Sequence, residues 1–341
     1  MCRHLGYVGP PVSVGELVLR GPHSLFVQSW APREMRAGGT INADGFGVAW
    51  WRWAEVGPGG ARSAVARYRN SAPIWTDPAV AEVLGQLESR SVLAAVRSAT
   101  VGMPVERAAC APFVDEHWAF SHNGVVPDWR RTLLAVLAEV TCLLGAEASN
   151  VVGAGPTSRS GIDGAPTHCA LNGDALTDDA LGGGALTDDA LGAPGQGAPG
   201  QGAPGHGAPG ALSGSVLLEA EALTDSAVLW VLLRGLLAAI GPDGPVTSPA
   251  DALRLLVTTV LRHQPAARLN LLLSDGDQLW ATTCWHALSV LVADDYTVLS
   301  SEPYDDDPRW QPIADHQLVT ATPGHCDITA LEHPVTERVR S

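Results

Sequence analysis

From about residue 145 to residue 215 the chain consists of Ala, Gly, Pro, Asp and Thr with almost no aromatic or β-branched side chain, and this stretch limits what the remainder can fold into. It holds two copies of A-L-T-D-D-A-L-G, beginning at Ala175 and Ala185, followed by a five-residue array beginning at Ala193, Ala198 and Ala203. Glycine at that interval matches neither collagen nor a packed repeat. Such a composition buries too little apolar surface to offset the entropy of ordering its backbone, so it predicts a disordered insertion over about 146–215. Roughly 270 of the 341 residues remain, a length suited to one domain with a sizeable core, so residues 2–341 read as a single interrupted domain.

Charge and cysteine usage narrow the function classes. All 21 basic residues are arginine, which excludes a lysine Schiff base and a Walker-type phosphate loop. Any fixed cation that holds an anionic substrate is therefore arginine. A net charge of −15 argues against nucleic acid or an acidic membrane surface as partner and is compatible with a cationic or zwitterionic small molecule. There is no apolar run of about 18 residues to span a membrane, and the start lacks the basic and apolar regions of a signal peptide, so a cytoplasmic location is expected. The six cysteines form no C-x-x-C pair, so zinc and disulfide frameworks are unsupported, and no metal or other cofactor is expected. Cys142 lies in an apolar helical pattern and is expected in the core. A site built from Cys110, His117 and His122 is conceivable but weakly supported.

Apolar alternation predicts strands over 3–8, 45–51, 91–98 and 117–121, and again over 268–274, 278–283, 288–293, 297–301 and 317–322. Helical patterns lie between them at 127–144, 225–240 and 249–263, the last opened by Ser248-Pro249, a cap and first-turn pair. Ser274-Asp275-Gly276-Asp277 predicts a hairpin turn. Strands, then helices, then strands imply an α+β fold with antiparallel sheets and helices packed outside.

Cys2 follows Met1 directly, and a cysteine there is small enough for methionine aminopeptidase to remove Met1. A thiol and a free α-amine then share one residue. The amine titrates near pH 7.7–8.0, about right to take the thiol proton without a histidine. Three more segments suit the rest of an amide cleavage. In Ser121-His122-Asn123-Gly124-Val125 the Asn amide and the Gly N–H aim two donors at one point, glycine allowing close approach and positive φ. The same Asn-Gly pair at a strand end is also an ordinary turn. In Val96-Arg97-Ser98-Ala99-Thr100-Val101-Gly102, Arg97 offers a planar fork for a carboxylate, or else pairs with an internal acid. In Leu223-Thr224-Asp225-Ser226, Asp225 accepts a substrate ammonium or caps the helix that follows. The repeats carry similar aspartates at Asp178 and Asp188, but only Asp225 precedes a long apolar helical pattern.

Taken in order, several pieces resemble the class II glutamine amidotransferases. They are Cys2-Arg3, Asp44-Gly45-Phe46-Gly47-Val48-Ala49-Trp50, Arg97 with Thr100 and Gly102, Trp118-Ala119-Phe120 with His122-Asn123-Gly124, Asp225-Ser226, and Ser301-Glu302-Pro303. They cover nearly the whole chain outside the insertion. The resemblance implies a four-layer αββα N-terminal nucleophile hydrolase fold, two antiparallel sheets sandwiched between helices. It implies Cys2 as nucleophile, its α-amine as base, and Asn123 with Gly124 as oxyanion hole. Arg97 would hold the glutamyl α-carboxylate and Asp225 the α-amino group, with Thr100 and His122 beside the substrate.

Within that family, the opening from Met1 to Tyr7 and the stand-alone length are most similar to the γ-glutamyl amidohydrolase branch of ergothioneine biosynthesis. The implied partner is a small γ-glutamyl substrate, with neither nucleic acid nor membrane. Its leaving group would carry a quaternary ammonium, for which Trp30, Trp75 and Trp310 are candidates, while Trp50 and Trp118 are expected in the core. Ala111-Pro112-Phe113 departs from the His-Pro-Phe common among relatives. Two alternatives stay open: a glutaminase subunit that feeds ammonia to a separate synthetase, and an inactive binding module of the same fold.

Overall fold

A strand such as Leu5-Gly6-Tyr7-Val8, apolar on both faces, needs cover on two sides, and the computed structural model supplies both. It describes residues 2–34, 41–52, 64–152 and 214–331. Among these the strands are β1 (Arg3–Ser13), β2 (Phe46–Arg52), β3 (Ala64–Asn70), β4 (Glu88–Val96), β5 (Phe113–Asp115), β6 (Trp118–Val125), β7 (Arg268–Ser274), β8 (Leu279–Thr283), β9 (Ser289–Val292), β10 (Thr297–Ser300), β11 (Gln311–Pro312), β12 (Gln317–Thr322) and β13 (His325–Ala330). The helices are α1 (Val14–Leu19), α2 (Leu25–Gln28), α3 (Ala79–Glu82), α4 (Trp129–Val152), α5 (Asp225–Ala238) and α6 (Pro249–His263). One antiparallel sheet, A, has the order β11-β9-β10-β1-β4-β2-β3; the other, B, has the order β13-β12-β8-β7-β6-β5.

Period-two alternation sorts the side chains into three interiors. Leu5, Phe46, Val48, Val92 and Ala94 point out of sheet A onto Val14, Leu17 and Val18 of α1 and Leu25 of α2. Val8, Ala49 and Leu93 point the other way and meet Leu272, Leu279 and Val319 of sheet B. The outer face of sheet B, with Phe120, Leu269, Leu271 and Leu273, packs on Leu133 of α4, Leu229 and Leu233 of α5 and Leu256 and Val260 of α6. Helix, sheet, sheet, helix is therefore the layer order, as expected. Each fully buried Leu or Val contributes about 1.5–3 kcal/mol through burial, which is why neither sheet is stable uncovered.

The central strands and long helices fall where the alternation puts them. Ser248 caps α6 through the Asp251 N–H with Pro in the first turn, and the hairpin after β7 turns at Gly276 with φ +100°. Strands β3 and β13 were not expected. Both are sheet edges, and polar side chains at alternate positions (Arg67 and Arg69; Asp327 and Thr329) break the apolar pattern. Cys142 is exposed, against expectation, because α4 turns that position away from sheet B. α4 also continues to Val152, past its expected end at 144, and a 3-10 helix at Gly214–Glu219 precedes α5. The expected insertion otherwise lies outside the described residues. Met1–Val151 and Pro209–Ser341 form one compact unit, which holds every residue of the site below.

Candidate active site

β1 enters sheet A between β4 and β10, with Arg3 opposite Val96. Its even-numbered residues face sheet B: Gly6 lies against Leu272 and Leu279, and His4 Nδ1 is 3.4 Å from Ser121 Oγ. The same alternation turns Cys2 inward, where its thiol donates to the Ser98 carbonyl at 3.7 Å. Arg3 faces outward and is buried. Its Nε donates to Glu302 Oε1 at 2.7 Å, Nη1 to the Cys2 carbonyl at 3.0 Å, and Nη2 to the Glu34 carbonyl. Glu302 Oε2 accepts the Arg33 N–H at 2.8 Å. The Ser301 hydroxyl accepts the His4 N–H and the His4 carbonyl accepts the Ser301 N–H, both at 3.0 Å. The Ser301-Glu302 segment thus grips the chain on both sides of its first turn into the sheet.

Arg97 follows the last residue of β4. Its backbone is held by Asp44 and Gly45, through Asp44 N–H to the Arg97 carbonyl at 3.0 Å and Arg97 N–H to the Gly45 carbonyl at 2.8 Å. Asp44 Oδ2 accepts the Ala99 N–H at 2.7 Å. The Arg97 guanidinium makes a long bond to the Asp44 carbonyl, 3.4 Å, and has no ion-pair partner among the described residues. The internal-acid alternative is therefore not what the structure shows. Thr100 sits in the exposed turn Thr100–Met103, outside the residues that line the recess.

His122, Asn123 and Gly124 lie inside β6 and not in a turn. The Leu269 N–H donates to Cys284 on the β8 side, and Leu269 pairs with Gly124. In an antiparallel ladder the Gly124 N–H then points away from β7, toward the edge where β5 pairs with β6 only as far as Phe120. That N–H is an available donor at an open edge. Gly124 is absent from the positive-φ residues, so the expectation of positive φ is corrected. Glycine is required for another reason: a Cβ would lie 1.8 Å from the Arg268 carbonyl and 2.5 Å from His122 Nε2. The imidazole crosses over Gly124 to donate to that carbonyl at 2.9 Å, which fixes the proton on Nε2 and leaves Nδ1 to accept from Ser226 Oγ at 3.0 Å. Asn123 faces the opposite way, into the intersheet layer. Its Nδ2 is 3.5 Å from Ser301 Oγ and its Oδ1 is buried without a partner among the described residues. A buried amide so loosely engaged is a donor in waiting.

Asp225 is the first residue of α5, and the side-chain cap of that helix is Thr224, which accepts the Ala227 N–H, so Asp225 is not the cap. Oδ2 accepts the Val126 N–H at 2.9 Å, the next edge donor after Gly124, and Oδ1 accepts the Ser226 N–H at 2.8 Å. Each oxygen has a second lone pair for a ligand. Cys2, Arg97, Ser121, His122 and Ser226 line one recess of about 20 Å³, and Arg3, Asn123, His286 and Ser301 line its neighbour of about 10 Å³. The first has room for a water. Two buried histidines flank the site without charge. Burial first, then the charges of His122 and Arg3, lowers His4 to about 3; burial, then Arg268 and Arg3, lowers His286 to about 3.

Cys110 is buried against Asp44, Asn70 and Glu106 carbonyls, His117 stacks on Trp118, and His122 is committed as above, so these three form no joint site. Of the expected aromatics, Trp30 and Trp75 stack edge to face on each other at 5.7 Å, and Trp310 donates to Asp305. Trp50 and Trp118 pack against the outer cores. Trp285 and Asp315, which line a cleft with Val125 and Arg268, were missed because an isolated Trp between two strands carries no periodic signal.

The chain belongs to the class II glutamine amidotransferase family, whose profile matches residues 22–140 and whose helix-sheet-sheet-helix layering it shares. Within it, the chain is 34% identical over 333 residues to the γ-glutamyl-hercynylcysteine sulfoxide hydrolase of Mycolicibacterium smegmatis, covering 97% of this chain and 100% of that protein. The protein of the same name from Mycobacterium tuberculosis is 33% identical, with 97% of each chain covered. In fold the chain is similar to glutamine phosphoribosylpyrophosphate amidotransferase from B. subtilis, with a TM-score of 0.50 at 10% identity over 98% of this chain and 50% of that one. Among the described residues no helix is long and apolar enough to cross a membrane.

Proposed function

We propose that this protein hydrolyses γ-glutamyl-hercynylcysteine sulfoxide, releasing glutamate, with Cys2 as nucleophile. The observation that carries the reading is the end-to-end match to hydrolases of that name, 34% over 97% of this chain. The site supports it: the inward Cys2 thiol, the unpaired Arg97 and the outward Gly124 N–H all come from strand ends at one rim of the two sheets.

Once Met1 is removed, the α-amine of Cys2 takes the thiol proton and Sγ attacks the γ-carbonyl carbon. The carbonyl electron pair moves onto oxygen, facing the Gly124 N–H and Asn123 Nδ2. Removing one such donor typically costs about 10²–10³ in kcat. Collapse breaks the C–N bond, and the amine leaves with the proton held by the α-ammonium. Water, deprotonated by the same α-amine, then attacks the thioester, expelling the thiolate and releasing glutamate. Arg97 holds the α-carboxylate and Asp225 the α-ammonium, while His122 forms the wall and Thr100 lies in the neighbouring exposed turn. A free thiol is most readily kept reduced in the cytoplasm, which is where we place the protein.

The test compares turnover of the sulfoxide with that of glutamine, alongside intact-mass analysis after a glutamine-like electrophile. We expect the label on Cys2 and a preference for the sulfoxide above about tenfold in kcat/KM, or roughly 1.4 kcal/mol. A smaller preference favours a general glutaminase, and labelling elsewhere overturns Cys2 as nucleophile.

A further inference from the structure

The structure assigns a binding site for the amine side of the substrate to a cleft of about 480 Å³ at the end of sheet B, lined by Val125, Arg268, Cys284, Trp285, Asp315 and His316. This rests on the function proposed above. Position is the first reason. Cys2, Arg97 and Ser226 line a recess on the β5 side of β6, whereas the cleft lies on the β7–β8 side. An amide held between them at Asn123–Gly124 places its acyl half on one side and its amine half on the other. Val125 directly follows Gly124, and Trp285 directly precedes His286, which lines the recess beside Asn123.

Construction is the second reason. Trp285 is 50% exposed although it is a large aromatic, and it adopts φ +86°, where L side chains are rarely found. His316, also in the cleft, has φ +56°. Fully buried Asn270 holds this shape: Oδ1 accepts the Cys284 and His286 N–H groups at 3.0 and 3.1 Å, and Nδ2 donates to the His286 carbonyl at 2.8 Å. Asp315 Oδ1 accepts the Trp285 N–H at 2.7 Å, which ties a carboxylate to the aromatic residue. Strained conformations maintained by satisfied buried polar groups concentrate at ligand clamps.

Chemistry is the third. An indole with a neighbouring carboxylate suits a quaternary ammonium, and Arg268, without an ion-pair partner among the described residues, suits a carboxylate. The ligand class is thus a zwitterion bearing a trimethylammonium and a carboxylate, the groups that a trimethylhistidine moiety carries. Cys284 and His316 are 4.0 Å apart, but burial and Asp315 push the thiol up to about 12, so Cys284 is a wall and not a second nucleophile.

Calorimetric titration with trimethylhistidine, which has no glutamyl group, tests the cleft independently of turnover. Asp315→Asn keeps the acceptor for the Trp285 N–H while removing the charge, and Trp285→Leu removes the ring; both are checked for wild-type Tm. We expect each to weaken trimethylhistidine about five- to tenfold. Each should also lower kcat/KM for the sulfoxide by about fivefold more than for glutamine, chiefly through KM. No measurable binding to the wild-type protein, unchanged binding in both variants, or equal losses on the two substrates would overturn the assignment. Binding without cleavage of the sulfoxide would instead refute the proposed reaction and spare the cleft.

Discussion

Gly124 admits no side chain because His122 and the Arg268 carbonyl meet above it. Gly124→Ala should displace one of them, lowering stability by about 1–3 kcal/mol and releasing the imidazole from its single tautomer. Denaturant midpoints check the first effect and nitrogen chemical shifts of His122 the second; a variant with both unchanged would show that the strand absorbs the methyl. The buried histidines give a second expectation. His4 and His286 have folded pKa values near 3 against about 6.5 unfolded, so the unfolded chain binds more protons between those limits. Their contribution is fully present above about pH 6.5 and is lost as pH falls toward 3, each adding a slope of about 1.4 kcal/mol per pH unit. Denaturation followed from pH 7 to pH 5, above the range of most carboxylates, should show this loss, and His4→Gln should remove about half of the part due to the two histidines.

At the level of elements, legibility followed burial. Strands β1, β4, β6 and β7, apolar on one or both faces, were evident in the alternation, and so were α5 and α6 with their caps. Edge strands β3 and β13 were not, since polar side chains interrupt the alternation of each. The site divided in the same way. Residues at motif positions (Cys2, Arg97, Asn123, Gly124 and Asp225) could be singled out as candidates, but what each touches depends on register. Asp225 reaching Val126 across 99 positions is a product of packing α5 against the open edge of β6. Arg97 rests on Asp44 in the same sense, leaving its planar fork unpaired for a carboxylate. Arg97→Lys retains the charge without the fork and should raise KM for the sulfoxide by roughly 10- to 150-fold, a loss of about 1.5–3 kcal/mol, with the fold intact. An unchanged KM would remove Arg97 from substrate recognition.

For the molecule as a whole, the low-complexity stretch joins two elements that are each anchored separately. α4 packs on sheet B, and Glu221, just before α5, is held by Arg67 at 2.9 Å and by buried Arg69 at 2.6 Å. The two arginines, through their bonds and charges, keep the Glu221 carboxyl below its usual range although burial opposes them. Replacing residues 155–212 by a Gly-Ser bridge should therefore leave both fold and kcat/KM within about threefold, because closing entropy changes by only about 0.6 kcal/mol per doubling of loop length. A loss beyond tenfold would give the stretch a part in the reaction.

The grip of Ser301-Glu302 on Arg3 and His4 also has a temporal side. During synthesis the first strand waits for β10 and for Glu302, made almost three hundred residues later. At about 5–20 residues per second that delay is roughly 15–60 s. Until then sheet A lacks one neighbour of its central strand, and the segment ahead of Cys2 remains open to the ribosome-associated enzymes that trim nascent chains. Under the proposed mechanism, maturation and folding are ordered by the direction of translation: removal of Met1 has its interval first, and the last strands to appear close Cys2 into place.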